Sequence, residues 1–309
     1  MRKHLKWIIP LILIILIVAI YMWPVMGTTF EKNYARSDPA LASSLKSFRM
    51  EHPPKTLKVD GVDWEYLTFG NGQQTILFLH GTTGAYDIWF QQMQALQDRY
   101  RVISVTYPAV NSLEKLSNGC LAVLNTVGVN RVHLVGTSLG GYLAQYIVAK
   151  HPGRVLSAVY SNTFPPNDIL PRSYKTIGTV LPYLPDWVVF AILQDGVNKN
   201  IFTTSRNDEF TRAFLTEVLS GRMNKGQVVG RYFCNMEQFT APDLTTLKIP
   251  ALIIEADNDP LVEQALREQL KAAYPAIPVR TLSNGHFPYL NPRTGFTAII
   301  SDFITAHSQ

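Results

Sequence analysis

Ser138 lies between two glycines in the segment G-T-S-L-G, and its type and setting are those of a nucleophile for acyl transfer. The apolar run Val132–Val135 before it predicts a buried strand, and Leu139–Lys150 after it has the length and polarity of a helix. In such a turn the serine adopts a strained backbone, and side chains at Gly136 or Gly140 would collide with the crossing chain. We predict that Ser138 projects from the carboxyl edge of a sheet; the alternative is a glycine-rich turn with a bystander serine.

Acyl transfer also requires backbone N–H groups that bind the negatively charged oxygen formed during the reaction. One comes from the residue after the nucleophile, here Leu139, at the start of the predicted helix. The second must come from the loop of a neighbouring strand. The segment H-G-T-T-G follows the predicted strand Thr75–Leu79, and Thr82 is its best candidate donor. We interpret His80 in this segment as structural, and an ordinary tight turn is the alternative for the loop.

A serine nucleophile requires a base, and His286 is the candidate by position and by elimination. It lies in the loop S-N-G-H-F-P-Y-L after a late predicted strand, where Gly285 lets the backbone turn so that the ring reaches across the sheet edge. A solvated loop histidine is the alternative. The other histidines lie in the chain termini, the linker, a strand-end loop, a buried strand or a helix end: His4, His52, His80, His133, His151 and His307.

The imidazole in turn needs a carboxylate that fixes its tautomer. The segment E-A-D-N-D-P-L-V follows the predicted strand Ala251–Ile254 and offers three carboxylates. We choose Asp259, at the turn before the next predicted helix; Asp257 remains a rival, and a helix N-cap is the alternative role for Asp259. Asp259 follows Ser138 by 121 residues and precedes His286 by 27, which gives the order nucleophile, acid, base.

Positioning these residues requires a sheet, and the chain alternates short β-branched runs with helical segments, as in a doubly wound, mostly parallel α/β fold. The predicted strands are Thr75–Leu79, Arg101–Val105, Val132–Val135, Val155–Tyr160, Ala251–Ile254 and Val279–Leu282. The predicted helices are Ile88–Arg99, Ser112–Val127, Leu139–Lys150, Leu261–Tyr274 and an amphipathic last helix around Phe296–Ile304. No buried-strand run occurs in residues 165–249. We therefore predict a helical cap at 165–249, inserted into a core of residues 57–164 and 250–309.

Residues 1–30 predict a membrane anchor. Three basic residues among the first six precede Trp7–Phe30, 24 residues without Asp, Glu, Lys or Arg, which is long enough to cross roughly 30 Å of hydrocarbon as a helix. A cleaved signal peptide is the alternative, although no A-x-A-like site follows. Charge density places the N terminus inside, so we predict a single-pass signal-anchor with an extracytoplasmic catalytic domain. Residues 31–56 are predicted as a linker with one short helix around Leu41–Phe48.

The composition excludes several other classes of protein. Of 309 residues, 47% are hydrophobic and 17% charged, which excludes disordered, collagen-like and coiled-coil chains. The net charge of +5 is concentrated at the N terminus, which argues against nucleic-acid binding. Cys120 and Cys234 cannot form a disulfide framework or a zinc cluster, and we expect two separate buried thiols. Without a metal-ligand cluster, a G-x-G-x-x-G turn or a phosphate-binding G-x-x-x-x-G-K-[ST] loop, no metal and no cofactor are predicted.

The motifs together resemble the α/β-hydrolase fold superfamily over the chain from Leu57 to the end. Within it, R-V-I-S-V-T-Y-P, G-T-S-L-G-G-Y-L-A-Q, Y-S-N-T-F and G-H-F-P-Y-L are more similar to the maspardin-like branch than to lipases or haloalkane dehalogenases. The resemblance favours Asp259 as the acid, although Ala256 stands where the family commonly has glycine. A serine at position 138 also implies acyl transfer, because dehalogenases and epoxide hydrolases of this fold use a carboxylate nucleophile.

These features predict a membrane-anchored serine hydrolase that cleaves a carboxylic ester through an acyl-enzyme on Ser138. Aromatic residues of the cap suggest an apolar acyl or aromatic ester, and the membrane segment suggests a lipid-derived one; the alternative is that these aromatic residues only form the core of the cap. Members of the maspardin-like branch are not all expected to be active, so a non-catalytic binding or scaffold protein is the alternative; within enzymes, an acyltransferase or thioesterase with the same triad is another. The expected partners are a small-molecule ester and the membrane, not nucleic acid, and the oligomeric state stays open.

Overall fold

An eight-stranded sheet forms the centre of the protein. The computed structural model describes the backbone of residues 2–308 and the side chains of residues 8–308. The strands are β1 (Lys55–Val59), β2 (Val62–Phe69), β3 (Thr75–Leu79), β4 (Arg101–Thr106), β5 (Val132–Thr137), β6 (Val155–Ser161), β7 (Ala251–Ala256) and β8 (Val279–Leu282), in the spatial order β1-β2-β4-β3-β5-β6-β7-β8. The pairs β1–β2 and β2–β4 are antiparallel and the other neighbouring pairs are parallel, which confirms the predicted mostly parallel sheet.

The burial of each strand explains why some strands were predictable and others were not. Every residue of β3, β5 and β7 is buried, because helices cover both faces of a parallel sheet. The hairpin of β1 and β2 was not predicted, because charged residues interrupt both half-exposed strands and neither forms a continuous apolar run. Its turn is formed by Asp60 and Gly61, both with positive φ (50° and 79°), which is the Asp-Gly signal of a two-residue hairpin.

Helices cover both faces of the sheet. They are α1 (Arg2–Tyr21), α2 (Phe30–Tyr34), α3 (Pro39–Glu51), α4 (Phe90–Leu96), α5 (Leu113–Thr126), α6 (Leu139–Lys150), α7 (Ile169–Val180), α8 (Asp186–Gly196), α9 (Phe202–Thr204), α10 (Glu209–Glu217), α11 (Lys225–Met236), α12 (Leu244–Leu247), α13 (Gln264–Ala273) and α14 (Phe296–Ala306). Side-chain caps fix several helix starts: Ser112 caps α5, Asp208 caps α10, and Asn224 forms a capping box with Gln227 at α11.

The sheet separates two hydrophobic cores. On one face, α4 and α14 contribute buried residues such as Phe90 and Ile300. On the other face, α5, α6 and α13 contribute buried residues such as Leu116, Leu143 and Leu266. The helix placement therefore follows the apolar stripe of each segment, as an α/β sheet requires.

The topology creates a natural site beside β3 and β5. The chain passes from β3 to β4 on one side and then returns to β5 on the other side of β3. In open α/β sheets, ligands bind outside the carboxyl ends of the strands at such a reversal. The loops that carry Thr82, Ser138, Asp259 and His286 follow β3, β5, β7 and β8 respectively, so they meet at this edge.

Between β6 and β7, the described chain contains helices and no strand. Helices α7–α12 occupy this stretch, and buried residues of α8 and α10, including Phe190, Phe210 and Phe214, extend the core on the α4 and α14 side of the sheet. The cap is therefore anchored to the sheet domain by apolar packing.

The segment before β1, which the sequence predicts as a linker with one short helix, packs against the core. Asp38 accepts the backbone N–H of Ala40 and caps α3, and Leu45 and Phe48 of that helix are fully buried. Tyr34 of α2 stacks on Phe30 and contacts the cap residue Phe210. Apolar residues at helical spacing on α3 thus join residues 30–51 to both the sheet domain and the cap.

The predicted membrane anchor at residues 1–30 is wrong. Within the described residues, no helix is long and apolar enough to cross a membrane. Helix α1 ends at Tyr21, because Pro24 disfavours helical backbone at the residue before it, and residues 22–29 of the predicted apolar run are not helical. The predictions of a single-pass localisation and of an extracytoplasmic catalytic domain depended on this anchor and lose their basis with it. The side chains of Arg2, Lys3 and Lys6 lie outside the part of the chain whose side chains are described.

A buried ionic cluster joins α3, the sheet domain and the cap. Fully buried Asp87 accepts hydrogen bonds from Arg49 Nε at 2.7 Å and Arg222 Nη2 at 2.9 Å. Arg49 also forms a bidentate ion pair with Glu217 of the cap, in which Nη1 and Nη2 donate to Oε1 and Oε2 at 2.9 and 2.8 Å. The Tyr34 hydroxyl donates to the same carboxylate. Burial alone would raise the pKa of Asp87, but the guanidinium groups of Arg222 and Arg49 outweigh it and hold that pKa below its usual value.

Asp87→Asn is expected to lower the free energy of unfolding by about 3 kcal/mol at pH 7, because two guanidinium groups lose their shared counterion. A depressed folded-state pKa gives stability that is present above the unfolded pKa of about 3.9 and is lost as pH falls through the folded value. The difference between the two proteins should therefore shrink below about pH 4. Urea unfolding across pH measures this, with Asp63→Asn of the exposed Lys58 pair as a control that leaves the midpoint unchanged. Equal stability of Asp87→Asn and wild type at pH 7 contradicts the prediction.

Candidate active site

Ser138 occupies a strained turn between β5 and α6. Its φ of 53° and ψ of −124° lie in a region that non-glycine residues rarely adopt. Two contacts from the end of β6 hold the turn: the Ser138 N–H donates to the Ser161 carbonyl at 3.0 Å, and the Thr163 hydroxyl donates to the Ser138 carbonyl at 2.7 Å. The side chain is half-buried at the carboxyl edge, as predicted for a nucleophile.

The two glycines of the turn permit the close chain crossing that the sequence predicts. A Cβ on Gly136 would lie 2.2 Å from the Gly140 carbonyl oxygen, and a Cβ on Gly140 would lie 2.1 Å from the Leu79 carbonyl oxygen. Both neighbours are backbone atoms that cannot move aside, so any side chain would push α6 away from the sheet. The start of α6 can therefore approach the end of β3, and Gly81 lies against Ser138, where an added Cβ would come within 3.0 Å of the serine Cβ.

The structure brings Asp259 and His286 into direct contact. The two carboxylate oxygens lie 3.0 and 2.8 Å from His286 Nδ1, and both residues are buried, with 7% and 2% of their surfaces exposed. A carboxylate at Nδ1 favours the tautomer with its proton on that nitrogen. Nε2 then carries the lone pair, which is the form of the ring that can accept a proton.

Asp259 has a second structural role. Its Oδ1 also accepts the backbone N–H groups of Leu261 and Val262 at 2.8 and 3.0 Å, so the carboxylate closes the turn before α13 as well as contacting His286. The rival Asp257 is exposed and accepts the Ser283 hydroxyl at 2.8 Å. The geometry therefore singles out Asp259 as the imidazole's carboxylate partner.

The loop that carries His286 is fixed at Gly285, whose φ is 63°. The Gly285 carbonyl accepts from Asn162 Nδ2 at 3.0 Å, and its N–H donates to Asn258 Oδ1 at 2.9 Å. These asparagines follow β6 and β7, so neighbouring strand ends hold the loop in place. Sequence reasoning identified Gly285 but not the two asparagines.

Ser138 and His286 line the same cavity. Among the described residues, neither the Ser138 hydroxyl nor His286 Nε2 has a hydrogen-bond partner, so the two groups are not yet joined. Hydrogen bonds of this kind are often long in the absence of substrate and tighten when substrate binds. The arrangement leaves both the hydroxyl and the ring nitrogen free for a reaction in the cavity.

The cavity has a volume of about 220 Å³ and a mostly apolar wall without Asp, Glu, Lys or Arg among its lining residues. These residues are Gly81, Thr82, Thr83, Ser138, Phe164, Leu170, Tyr174, Tyr232, Asn235, Met236, Leu261, His286 and Phe287. Part of the wall comes from α7 and α11 of the cap. A small, uncharged space beside a serine and a histidine suits a neutral substrate, because a charged group would be desolvated there without a partner.

The two predicted oxyanion donors flank the nucleophile. Leu139 is the first residue of α6, so its N–H has no partner within the helix, and the dipole of α6 favours negative charge at this end. Thr82 lines the cavity, and its N–H makes no hydrogen bond to the described residues. Neither N–H group thus has a hydrogen-bond partner among the described residues.

His80 lies behind the Thr82 loop and does not line the cavity. It is fully buried, Nδ1 lies 2.6 Å from the Gly81 carbonyl oxygen, and Nε2 accepts the Tyr107 N–H at 3.2 Å. Burial, together with the positive charge of Arg231, holds the pKa of His80 well below its ordinary value. The ring is thus neutral with its proton on Nδ1, which fits the structural role expected from the sequence.

The other described histidines lie away from the cavity. His133 contacts Ser157 and Gln74, His52 stacks on Phe69, and His307 contacts the backbone of its own helix. The side chain of His4 lies outside the described part of the chain. The two cysteines are both buried and unbridged, as expected, and burial raises their pKa values to about 12.

Comparisons with known proteins agree with this geometry. The model of the alpha/beta hydrolase family matches residues 76–299. Maspardin from Danio rerio is 28% identical over 253 residues, which cover 79% of this chain and 79% of that protein. The enol-lactonase from Burkholderia xenovorans LB400 has a TM-score of 0.70 at 19% identity and covers 81% of this chain and 100% of that chain. A thermophilic esterase from Thermogutta terrifontis has a TM-score of 0.66 at 19% identity, covering 84% and 99%.

The family model spans well over half of the chain, from β3 to the last helix, and includes every candidate site residue. The solved neighbours share the fold over nearly their whole length. The resemblance expected from the motifs is therefore confirmed, and the chain belongs to the alpha/beta hydrolase family.

Proposed function

We propose that this protein is a serine hydrolase that cleaves a small, neutral carboxylic ester through an acyl-enzyme on Ser138. The observation that carries the proposal is the contact between the Asp259 carboxylate and His286 Nδ1, 2.8 Å apart, at the cavity that Ser138 also lines. A buried carboxylate, an imidazole and a strained serine in this order are the parts that acyl transfer requires. Two of the solved structures with this fold are an enol-lactonase and an esterase, and this supports an ester as the substrate.

In the first half of the reaction, Ser138 Oγ attacks the ester carbonyl carbon and His286 Nε2 takes the hydroxyl proton. The carbonyl π electrons move to the oxygen, where the N–H groups of Leu139 and Thr82 would bind the negative charge. The tetrahedral intermediate then collapses, the bond to the leaving oxygen breaks, and His286 gives its proton to the departing alcohol. Asp259 stabilises the imidazolium throughout without becoming protonated.

In the second half, water enters and His286 takes one of its protons. The remaining hydroxide attacks the acyl carbon, and the same two N–H groups would hold the second tetrahedral oxyanion. When the bond to Ser138 Oγ breaks, His286 returns the proton to the serine and the carboxylic acid leaves. The cycle restores the starting enzyme, and none of its steps as written uses a metal or a cofactor.

The cavity limits the substrate by charge and by size. A volume of about 220 Å³ is below the usual range of drug-sized sites, so a short acyl group fits and a long chain would extend outside. Asn235 donates from Nδ2 to the Thr82 hydroxyl at 3.0 Å, while its Oδ1 is buried and without a partner among the described residues. A hydroxyl or amide N–H on the substrate would satisfy this oxygen, so we expect it to favour esters that carry such a donor.

Turnover of matched nitrophenyl esters by the full-length chain tests the proposal. The acetate and butyrate should be hydrolysed with a higher kcat/KM than the palmitate. The butyrate should exceed the hemisuccinate, which has the same number of acyl carbons and one negative charge, by at least about 10-fold. Carboxylic acid should remain the main product when a small alcohol is added, whereas transfer to the alcohol would indicate an acyltransferase. Absence of turnover on every ester would favour the binding or scaffold function.

A further inference from the structure

The strongest unexplained feature outside the triad is Arg231, a fully buried residue of the cap helix α11. Among the described residues, no carboxylate lies within ion-pair distance of its guanidinium. Instead, Nη1 donates to the carbonyl oxygens of Thr82 and Gly84 at 2.8 and 3.1 Å, and Nη2 donates to that of Tyr107 at 2.7 Å. Two of these three acceptors belong to the loop that contributes the predicted oxyanion donor.

Such a group is costly to keep. A charge without a counterion in the interior loses most of its hydration, which carbonyl dipoles only partly replace. Burial lowers the pKa of Arg231 to about 10, which still leaves the guanidinium charged at neutral pH. A well-packed apolar residue would fill this site at lower cost, so the arginine needs a reason other than stability.

The hydrogen bonds on the loop supply that reason. The carbonyl of one residue and the N–H of the next belong to one rigid peptide plane and point in opposite directions. His80 Nδ1 holds the Gly81 carbonyl at 2.6 Å, which fixes the plane that contains the Thr82 N–H. Arg231 holds the carbonyl of Thr82 itself, which fixes the next plane. Both peptide planes flanking the Thr82 Cα are therefore held from the side away from the cavity.

A third contact holds the side chain of the same residue. Asn235 Nδ2 donates to the Thr82 hydroxyl at 3.0 Å. Arg231 and Asn235 are four residues apart on α11, so they lie on the same face of the helix. Helix α11 of the cap therefore forms hydrogen bonds with both the backbone and the side chain of Thr82.

We propose that Arg231 is a positioning residue: it fixes the peptide plane that follows Thr82, while His80 fixes the plane that contains the Thr82 N–H. Together they hold this N–H in the orientation required to bind the oxyanion, and catalysis thereby depends on the docked cap. This inference rests on the proposed ester hydrolysis. Arg231 contacts neither Ser138 nor His286, so its effect runs through the loop. The interaction it supports exists only in the transition state, and its loss should lower kcat while KM stays nearly constant.

The test uses the full-length chain with Arg231→Met and Arg231→Lys, nitrophenyl butyrate as substrate and benzyl trifluoromethyl ketone as inhibitor. This ketone forms a serine adduct whose oxygen occupies the oxyanion position. We expect Arg231→Met to lower kcat by about 100-fold, to change KM by less than about 3-fold and to raise the inhibition constant by a factor close to the loss in kcat/KM. Arg231→Lys keeps the positive charge but not the planar set of N–H donors, and its kcat should be about 10-fold below that of wild type.

Arg101→Met is the matched control, because Arg101 also donates to a backbone carbonyl, that of Val127, but at the opposite end of the sheet. It should lower the melting temperature and leave kcat per folded molecule within about 2-fold of wild type. If Arg231→Met does not fold, the lysine variant decides the question. If a folded Arg231 variant has the kcat and the inhibition constant of wild type, the inference is wrong but the proposed ester hydrolysis is not affected. A wild-type chain that hydrolyses no ester overturns the proposed function together with it.

Discussion

Ser138→Ala is expected to lower kcat for nitrophenyl butyrate hydrolysis by about 10⁶-fold, to the rate supplied by binding and the oxyanion donors alone. The variant lacks the only hydroxyl that the strained turn presents to the cavity, so no acyl-enzyme can form. Because the Cβ and the backbone remain, KM should stay close to the wild-type value. Steady-state kinetics at neutral pH, with single-turnover measurements for the slow variant, determine both constants.

Ser104→Ala is a matched control for this substitution. Ser104 is fully buried in β4 and its hydroxyl has no partner among the described residues, so its removal breaks no hydrogen bond. Its kcat should lie within about 2-fold of wild type. An equal loss of activity in both variants, or a Ser138→Ala protein that retains more than about a hundredth of wild-type kcat, would remove Ser138 from the reaction.

Asp259→Asn is expected to lower kcat by about 10⁴-fold. The amide can keep the contact with His286 Nδ1, but it can donate its own N–H there and so favour the wrong tautomer, with the proton on Nε2. It also cannot stabilise the imidazolium. The amide oxygen can still accept from Leu261 and Val262, so the turn before α13 should survive. Circular dichroism and thermal melting check that the fold is intact when the rate is measured.

Asp257→Asn distinguishes the two carboxylates that the sequence left as rivals. Asp257 is two residues away, exposed, and bonded to Ser283 rather than to the imidazole. Its kcat should remain within about 3-fold of wild type. If Asp257→Asn instead loses more activity than Asp259→Asn, the assignment of the acid is reversed.

Much of the sheet domain was predictable from local patterns. Strands β3–β7 are short apolar runs buried on both faces, and such runs are recognisable from the sequence alone. Strand β8 is more exposed, and its β-branched residues Val279 and Thr281 were the signal there. The serine turn was recognisable because it requires glycine at two positions. A Cβ at either position would lie only 2.1 to 2.2 Å from a backbone oxygen. Choosing Asp259 over Asp257 was harder, since two neighbouring carboxylates differ only in the direction that the turn gives them.

Long-range packing was not predictable in the same way. Helix α3 is amphipathic enough to be seen as a helix, but nothing local indicates that Arg49 reaches Asp87 and Glu217, 38 and 168 residues away. The buried position of Arg231 could not be predicted from the sequence either, because an arginine in a polar helix is usually exposed to solvent. The membrane anchor failed because an apolar run was treated as one helix, although Pro24 lies inside it and α1 ends at Tyr21.

The most direct measurement of the central claim is the site of covalent labelling by an alkyl fluorophosphonate, which reacts with a serine only when a base activates it. The full-length wild-type chain is treated at neutral pH, digested and analysed by tandem mass spectrometry. Ser138 should carry one phosphonyl group at close to full occupancy, and labelling should be at least about 10³-fold slower in His286→Gln. Labelling at another residue, or at Ser138 with the same rate in His286→Gln, would contradict the account.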